Sequence, residues 1–214
     1  MRMNTRAPYR RIIERYTCLA PRYDRAWRGY LERTFAEALE ALHLTGTERV
    51  LDVGCGTGEL ERLALQRFPQ LRLVGLDVTP SMITLARRKL AGRSSVQWFL
   101  ASGEDLPFGD GSFDAVVSCN TLHYVRMPGA FFRECARVLR PHGTLAVVDW
   151  CRDFWHGRLI HYWRRLTDRT YVTMYRLEEL AQAVGSAGLA ARGSRRFVIP
   201  PCYGMMWLRA EKSP

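Results

Sequence analysis

The stretch Val50-Leu51-Asp52-Val53-Gly54-Cys55-Gly56-Thr57-Gly58-Glu59-Leu60 determines how the rest of the chain is interpreted. Residues 49–53 predict a buried strand, and the alternating glycines that follow predict a turn before a helix that starts near Glu59. Glycine lets the backbone approach a ligand closely and adopt φ angles that other residues avoid. A turn of this kind after a first strand is where an open α/β sheet binds a nucleotide-like ligand.

A second apolar run, Leu73-Val74-Gly75-Leu76-Asp77, ends in an acid. A carboxylate at this place accepts hydrogen bonds from both hydroxyls of a ribose. The dinucleotide fingerprint requires glycine at the third position after Gly56, where Glu59 stands. The spacing therefore argues against a nicotinamide cofactor, and a nicotinamide-dependent oxidoreductase is the disfavoured alternative.

With Gly75-Leu76-Asp77-Val78-Thr79-Pro80-Ser81-Met82, the glycine stretch resembles the class I S-adenosylmethionine-dependent methyltransferases. The small-molecule branch that includes ubiquinone and menaquinone biosynthesis methyltransferases is the most similar. The resemblance covers residues 45–150 well and the flanks in outline. It implies an α/β fold with a Rossmann-like seven-stranded, mostly parallel sheet, helices on both faces and an antiparallel last strand.

The residues between 49 and 150 alternate between strand and helix patterns, which predicts a parallel sheet. Predicted strands are 49–53, 72–76, 96–100, 113–119 and 144–149, and predicted helices are 59–67, 80–90 and 129–139. A helix over 177–187 and two strands, 195–199 and 203–210, close the chain.

The segment before the first strand predicts two helices that are broken at Pro21. The resemblance implies an N-terminal helical lid over residues 1–43 and an S-adenosylmethionine-binding methyltransferase domain over 44–214. Within that domain, 150–176 is the expected substrate-cap helical segment. Tyr16 and Tyr23 resemble tyrosines that cover the site in this family, although packing within the helical layer explains them equally well.

The resemblance also implies S-adenosylmethionine as the methyl donor, S-adenosylhomocysteine as the product, and no metal. Asp52 is expected to bind the donor's ammonium, or alternatively to hold the glycine turn. Asp77 is expected to bind the ribose hydroxyls. The remaining expected contacts are Gly54, Cys55, Gly56 and Gly58 around the methionyl and ribose part, and Val78 and Met82 beside the adenine.

The stretch Ala101-Ser102-Gly103-Glu104-Asp105-Leu106-Pro107-Phe108 departs from the family at one position. The family usually has an aspartate where Ser102 stands, and that aspartate bonds the adenine amino group. The hydroxyl of Ser102 either weakens this recognition or leaves it to the backbone of Gly103 and the side chain of Glu104.

His123, which follows the fourth predicted strand, is a candidate catalytic residue with Tyr16 and Tyr23, and the neighbouring Asn120 and Thr121 are expected to contact the cofactor. Asn120, Thr121 and His123 are expected near the transferred methyl group, because α/β sites lie beyond the carboxyl ends of strands. Displacement at a sulfonium releases a neutral group, so a base is required only when the acceptor must lose a proton. Asp149, His156 and His161 are the other candidate bases, and an ordinary structural role is the alternative for each histidine.

Composition limits the class of protein. The chain of 214 residues fits one domain, and no apolar run of membrane-spanning length is present. Six scattered cysteines without a Cys-x-x-Cys pair predict reduced thiols, neither a disulfide frame nor a zinc site. Because no apolar signal core follows the basic N-terminus, we expect a cytoplasmic protein of unspecified oligomeric state.

The net charge of +11 has three interpretations: a solvated surface, an anionic membrane or lipid-like acceptor, and nucleic acid. Nucleic acid is the least favoured, because the Asn/Asp-Pro-Pro-Tyr/Phe motif of amino-directed nucleic-acid methyltransferases does not occur after strand four. Aromatic residues at helical spacing over 155–166 predict either an interfacial helix or, preferably, a face that lines the pocket or core. The sequence therefore predicts methyl transfer to a small apolar or amphipathic acceptor, such as a quinone precursor, a lipid or another small metabolite, with peripheral membrane contact as a possible addition.

Overall fold

The computed structural model describes residues 6–214, with side chains from Tyr9 onward. The basic segment 1–5, on which the expectation about export partly rests, lies outside the described residues. Within the described part, no helix combines the length and apolar character needed to cross a bilayer.

Helices and strands alternate through the middle of the chain, and two helices precede the first strand. The helices are α1 (Arg6–Leu19), α2 (Tyr23–Leu42), α3 (Glu59–Arg67), α4 (Pro80–Lys89), α5 (Pro128–Val138), α6 (Trp155–Thr167) and α7 (Leu177–Gly185). The strands are β1 (Arg49–Val53), β2 (Arg72–Asp77), β3 (Val96–Leu100), β4 (Phe113–Cys119), β5 (Leu139–Trp150), β6 (Leu189–Ile199) and β7 (Tyr203–Lys212). A short 3₁₀ turn, Ala20–Arg22, replaces the α-helix at Pro21, as predicted.

The seven strands form one sheet in the order β3-β2-β1-β4-β5-β7-β6. Strands β1 to β5 pair in parallel, and β7 runs antiparallel to both of its neighbours. The predicted fold class is confirmed. Because β1 lies between β2 and β4, the strand order reverses there, and a crevice opens beyond the carboxyl ends of these strands.

Each face of the sheet is covered by its own apolar core. On one face, α2 and α3 contribute Phe35, Leu39 and Leu60. On the other face, α5 and α7 contribute Phe131 and Leu180. Helices therefore bury both faces, which explains the continuous apolar runs in the central strands.

Two strand boundaries differ from the sequence prediction. Strand β5 begins at Leu139 and not at residue 144, so it includes residues 141–143. His142 has a positive φ of 62° there, so the backbone bends within the strand without ending it. Strand β6 begins at Leu189 and not at residue 195, because it is an edge strand whose outward arginines conceal the alternation of apolar residues.

The preferred interpretation of the aromatic face of α6 is wrong. Trp155, Leu159 and Leu166 point to solvent and line neither a pocket nor the core. The helix buries Gly157 and His161 instead.

Helix α2 connects the beginning of the described chain to its last strand. Glu37 is only 2% exposed, and its Oε2 accepts a hydrogen bond from Trp207 Nε1 at 3.1 Å. Its Oε1 lies 2.9 Å from Arg33. Because a buried carboxylate needs partners, these contacts fix α2 against β7.

Candidate active site

A cavity lies where the carboxyl ends of β1, β2, β3 and β4 meet α1 and α2. Its lining includes Gly54, Cys55, Gly56, Asp77, Val78, Met82, Ser102, Gly103, Glu104, Asn120, Thr121, Tyr16 and Tyr23, all of which the sequence predicted. Asp52, Gly58 and His123 do not line it. One cavity therefore brings together most of the predicted site residues.

The backbone at Gly54 determines the shape of the cavity floor. Its φ is 89°, and a Cβ placed on it would lie 2.1 Å from Thr121 Oγ1. The amides of Gly54 and Cys55 both donate to the carbonyl of Leu76, at 2.7 and 3.0 Å. Only glycine fits a turn that is held this tightly between β2 and residue 121.

Gly58 has a packing role at this place. Its φ is 75°, and a Cβ on it would meet the ring of Trp98 at 2.6 Å. The residue lets α3 start close to α4 and β3, so the expectation that it contacts the cofactor has no geometric support.

Asp77 lies at the end of β2 and faces the cavity. Its Oδ2 accepts from the amide of Gly56 at 3.0 Å, and its Oδ1 accepts from the amide of Thr79 at 2.8 Å. Burial raises the pKa of Asp77, while these backbone hydrogen bonds oppose the shift. The Thr79 side chain and the Val78 backbone also hydrogen-bond to this carboxylate, which lines the cavity as an acceptor suited to ribose hydroxyls.

Asp52 and Glu61 form a buried acidic pair beneath the glycine turn. Asp52 is 4% exposed and Glu61 is fully buried. Asp52 Oδ1 and both carboxylate oxygens of Glu61 have no hydrogen-bond partner among the described residues. Burial raises the pKa of each, and neighbouring carboxylates, Asp77 for Asp52 and Asp52 for Glu61, add to the effect. An unsatisfied acid beneath this turn fits a ligand that carries an ammonium group.

Ser102 and Glu104 organise the far end of the cavity. Ser102 Oγ accepts from the amide of Glu104 at 3.2 Å. Glu104 Oε1 accepts from the amides of Arg126 and Met127, at 2.9 and 2.6 Å. The carboxylate of Glu104 therefore already holds the segment before α5, besides lining the cavity.

Tyr9 is a cavity residue that the sequence interpretation missed. Its hydroxyl hydrogen-bonds to the side chains of Glu104 and Ser102, and burial raises its pKa. The sequence pattern could have indicated this role, because Tyr9, Ile12, Ile13 and Tyr16 have the spacing of one helical face. All four belong to one apolar cluster with Tyr124.

Tyr16, Tyr23 and Tyr124 form an aromatic wall opposite the glycine turn. The hydroxyls of Tyr16 and Tyr124 are 3.2 Å apart, and the ring of Tyr16 lies 5.8 Å from each of the other two rings. Burial raises the pKa of all three phenols. These side chains are therefore neutral near neutral pH and can position a ligand without removing its proton.

Lys89 connects the covering helices to the glycine turn. Its Nζ donates to Asp24 Oδ2 at 2.6 Å, to Glu59 Oε2 at 2.9 Å and to Thr57 Oγ1 at 3.1 Å. Thr57 also donates to Asp24. One ammonium group thus joins the first turn of α2 to the turn after β1 and to the start of α3.

Asn120 provides a second connection to α2. It has a positive φ of 55°, and its Oδ1 accepts from the hydroxyl of Tyr30 at 2.7 Å. Its Nδ2 donates to Thr34 Oγ1 at 3.0 Å. Trp150 Nε1 donates to the same Tyr30 hydroxyl at 2.8 Å. The loop after β4 is therefore held by the helix that covers it.

His123 lies behind the cavity wall. The side chain is 3% exposed, and Nδ1 lies 2.7 Å from Asp149 Oδ1. Its ring stacks on Trp150, with centroids 4.0 Å apart, and contacts the ring of Tyr124 at 4.1 Å. Only Tyr124 of these residues lines the cavity, so His123 can reach a ligand only through that tyrosine.

The other candidate bases are also outside the cavity. His161 Nδ1 lies 2.6 Å from the hydroxyl of Tyr171, and His156 packs on Phe154. Asp149 is occupied by His123 and by the amide of Trp150. Residues 6–214 contain no group of three or more His, Cys, Asp or Glu side chains arranged to hold a metal ion.

The fold and the cavity define a class I methyltransferase architecture. Residues 51–147 match the protein family described as "Methyltransferase domain". The predicted resemblance to the S-adenosylmethionine-dependent methyltransferases, an enzyme family, is thereby confirmed for this central part of the chain.

Individual relatives agree with this assignment. The chain is 35% identical over 138 residues to the malonyl-[acyl-carrier protein] O-methyltransferase of Hahella chejuensis, covering 63% of this chain and 48% of that protein. It is 34% identical over 158 residues to the ubiquinone/menaquinone biosynthesis C-methyltransferase UbiE of Citrifermentans bemidjiense, covering 65% and 63%. The chain thus spans about half to three fifths of the length of these two relatives.

A solved structure supports the fold. Geranyl diphosphate methyltransferase in complex with SAM superposes with a TM-score of 0.70 at 16% identity, over 84% of each chain. At this identity the similarity concerns the architecture alone.

Proposed function

We propose that the chain transfers a methyl group from S-adenosylmethionine to a small apolar or amphipathic acceptor. The observation that carries the proposal is the single cavity that joins the polar floor around Gly54 and Asp77 to the aromatic wall of Tyr16, Tyr23 and Tyr124. The polar floor can hydrogen-bond a charged nucleoside, and the aromatic wall can pack against an apolar acceptor.

The floor residues have complementary roles in donor binding. Asp77 accepts hydrogen bonds from the ribose hydroxyls, and Val78 and Met82 flank the base. Asp52 lies beneath the floor and attracts the ammonium group through a water molecule. Tyr9, Ser102 and Glu104 close the end that holds the adenine. When bound, the donor supplies an electrophilic methyl group on a sulfonium.

The protein contributes mainly by positioning and by excluding water. Tyr16 and Tyr23 contact the acceptor, and Asn120 and Thr121 border the place of transfer. His123 acts as a positioning residue that holds Tyr124 from behind. Because the tyrosines are neutral and the histidines lie outside the cavity, we expect an acceptor that needs no strong base.

The relatives suggest classes of acceptor. Their names refer to malonyl-[acyl-carrier protein] and to ubiquinone and menaquinone biosynthesis. An amphipathic acceptor held near an anionic membrane surface is the class that suits both the aromatic wall and the net charge of +11.

Calorimetric titration with S-adenosylhomocysteine tests the proposal. We expect the wild-type protein to bind it, and Asp77→Asn to bind it ~10-fold to 100-fold more weakly, because a charge-assisted hydrogen bond is lost. The exposed Asp105 provides a matched control, and Asp105→Asn should bind like the wild type. Folded protein that ignores S-adenosylhomocysteine but binds NADH would overturn the proposal in favour of the oxidoreductase alternative.

A further inference from the structure

Helix α6 presents five large apolar side chains to solvent. The exposed fractions are 73% for Trp155, 62% for Leu159, Tyr162 and Trp163, and 87% for Leu166. Scattered exposed apolar residues are normal on a protein surface, but a contiguous cluster of this size on one helix indicates a binding surface.

The opposite side of α6 is fixed to the protein body. Gly157 packs so closely that a Cβ would lie 2.4 Å from the carbonyl oxygen of Cys151. His161 bonds to Tyr171, and the guanidinium of Arg164 lies 4.4 Å from the ring centroid of Trp150. The helix therefore cannot rotate to bury its aromatic residues without losing these contacts.

The charges on α6 indicate the kind of partner. Its sequence, WHGRLIHYWRRLT, contains no acidic residue, and Arg158 and Arg165 are exposed beside the apolar cluster. A second copy docked on the same face would bring these arginines together, which is unfavourable. A bilayer with acidic lipids has anionic headgroups above an apolar interior. The headgroups can pair with the arginines, and the interior can take up the apolar side chains of α6.

The end of α6 leads back to the cavity. Asp168, which follows the helix, pairs with Arg164 at 2.9 Å and also with Arg15 of α1. Residues 169–172 then line a groove together with Arg10 and Arg11 of α1. Ile12 and Tyr124 separate this groove from the cavity, because they line both.

We infer that α6 docks the protein on an anionic lipid bilayer, with Trp155, Tyr162 and Trp163 at the depth of the headgroups. Aromatic and arginine side chains are well suited to that depth. The segment that follows α6 lines the arginine-lined groove, and this groove shares Ile12 and Tyr124 with the cavity. The inference concerns lipid binding and does not depend on the proposed methyl transfer.

Vesicle flotation tests the inference. We expect the wild-type protein to float with vesicles of equal phosphatidylglycerol and phosphatidylcholine, and not with pure phosphatidylcholine. The double variant Trp163→Ser/Leu166→Ser should bind at least ~10-fold more weakly, since two inserted side chains are lost. The matched control is Met127→Ser/Val198→Ser, which alters exposed apolar residues outside α6 and should bind like the wild type.

Two further measurements distinguish a loss of lipid binding from misfolding and from association between copies. Binding of S-adenosylhomocysteine by each variant reports folding, and it tests the methyl-transfer proposal separately. Light scattering reports association between copies. The inference fails if the wild type ignores acidic vesicles at low salt, if the α6 variant floats as well as the control, or if the wild type forms a dimer that Trp163→Ser/Leu166→Ser abolishes.

Discussion

The floor of the cavity and the helices that cover it are built in different ways. The floor consists of backbone turns at the ends of adjacent parallel strands, and Gly54 and Asp77 lie within short contiguous motifs. The cover consists of tyrosines from α1 and α2, held to the floor by side-chain bonds from Lys89 and Asn120. The difference teaches that backbone geometry determines the shape of the floor, whereas exchangeable side chains determine the shape of the cover.

The first prediction tests the rigidity of the floor. Gly54→Ala should lower the affinity for S-adenosylhomocysteine by at least ~100-fold, because a left-handed residue costs about 1–3 kcal/mol and its Cβ overlaps Thr121. Calorimetry measures the loss. Gly92→Ala is the control, since Gly92 has a similar φ of 79° but open space around its Cβ.

The Gly92→Ala variant should lose a little stability and keep its affinity. Equal affinities of wild type and Gly54→Ala would show that the floor adapts, and the contrast between floor and cover would then disappear.

The second prediction loosens the cover. Lys89→Met removes three hydrogen bonds between α2, the glycine turn and α3, while its apolar stem remains. We expect S-adenosylhomocysteine to dissociate ~5-fold to 10-fold faster, with a smaller change in the association rate. Stopped-flow fluorescence measures both rates, and Arg88→Met, at the exposed neighbouring position, is the control. An unchanged dissociation rate would mean that Lys89 does not hold the cover closed.

The third prediction concerns the acids beneath the floor. Burial and Asp52 raise the pKa of Glu61 above the ~4.3 of an unfolded chain, so the folded state favours the protonated acid. Its contribution to stability is complete below the unfolded pKa and is lost as the pH rises through the folded pKa. Glu61→Gln should therefore flatten the fall in the free energy of unfolding as the pH rises from ~4.3 toward alkaline values, by up to ~1.4 kcal/mol per pH unit.

Urea titrations across this range measure the effect. Glu134→Gln is the control, because Arg137 lowers the pKa of Glu134 and places its titration on the acid side. Its profile should run parallel to that of the wild type at alkaline pH. Parallel profiles for Glu61→Gln and the wild type would refute the raised pKa of Glu61.

The same difference explains what the sequence could predict. The alternating strands and helices over 49–150 and the Gly54 turn follow from local sequence patterns, and the antiparallel last strand follows from the family resemblance. The bonds of Lys89 to Asp24 and of Tyr30 to Asn120 join positions 65 and 90 residues apart, and no local pattern encodes them. His123 was misplaced for a related reason: its position after β4 is correct, but its ring turns toward Asp149 and Trp150.

Solvent exposure of α6 was equally hidden from the sequence. The spacing of Trp155, Leu159, Tyr162 and Leu166 predicts that they share one helical face. It does not predict whether that face is buried or exposed. Gly157, whose missing side chain allows close contact with Cys151, is the residue that decides the orientation.

The bond between Glu37 and Trp207 has a consequence for the order of folding. Helix α2 packs against β4, β5 and β7, and Trp207 lies 170 residues after its partner. During synthesis, Glu37 of α2 therefore lacks this partner until residue 207 has left the ribosome. Closing a loop of this length is slow, and exposed apolar surface persists meanwhile. The buried anchor of the cover thus forms after the glycine turn and the other floor motifs have been synthesised.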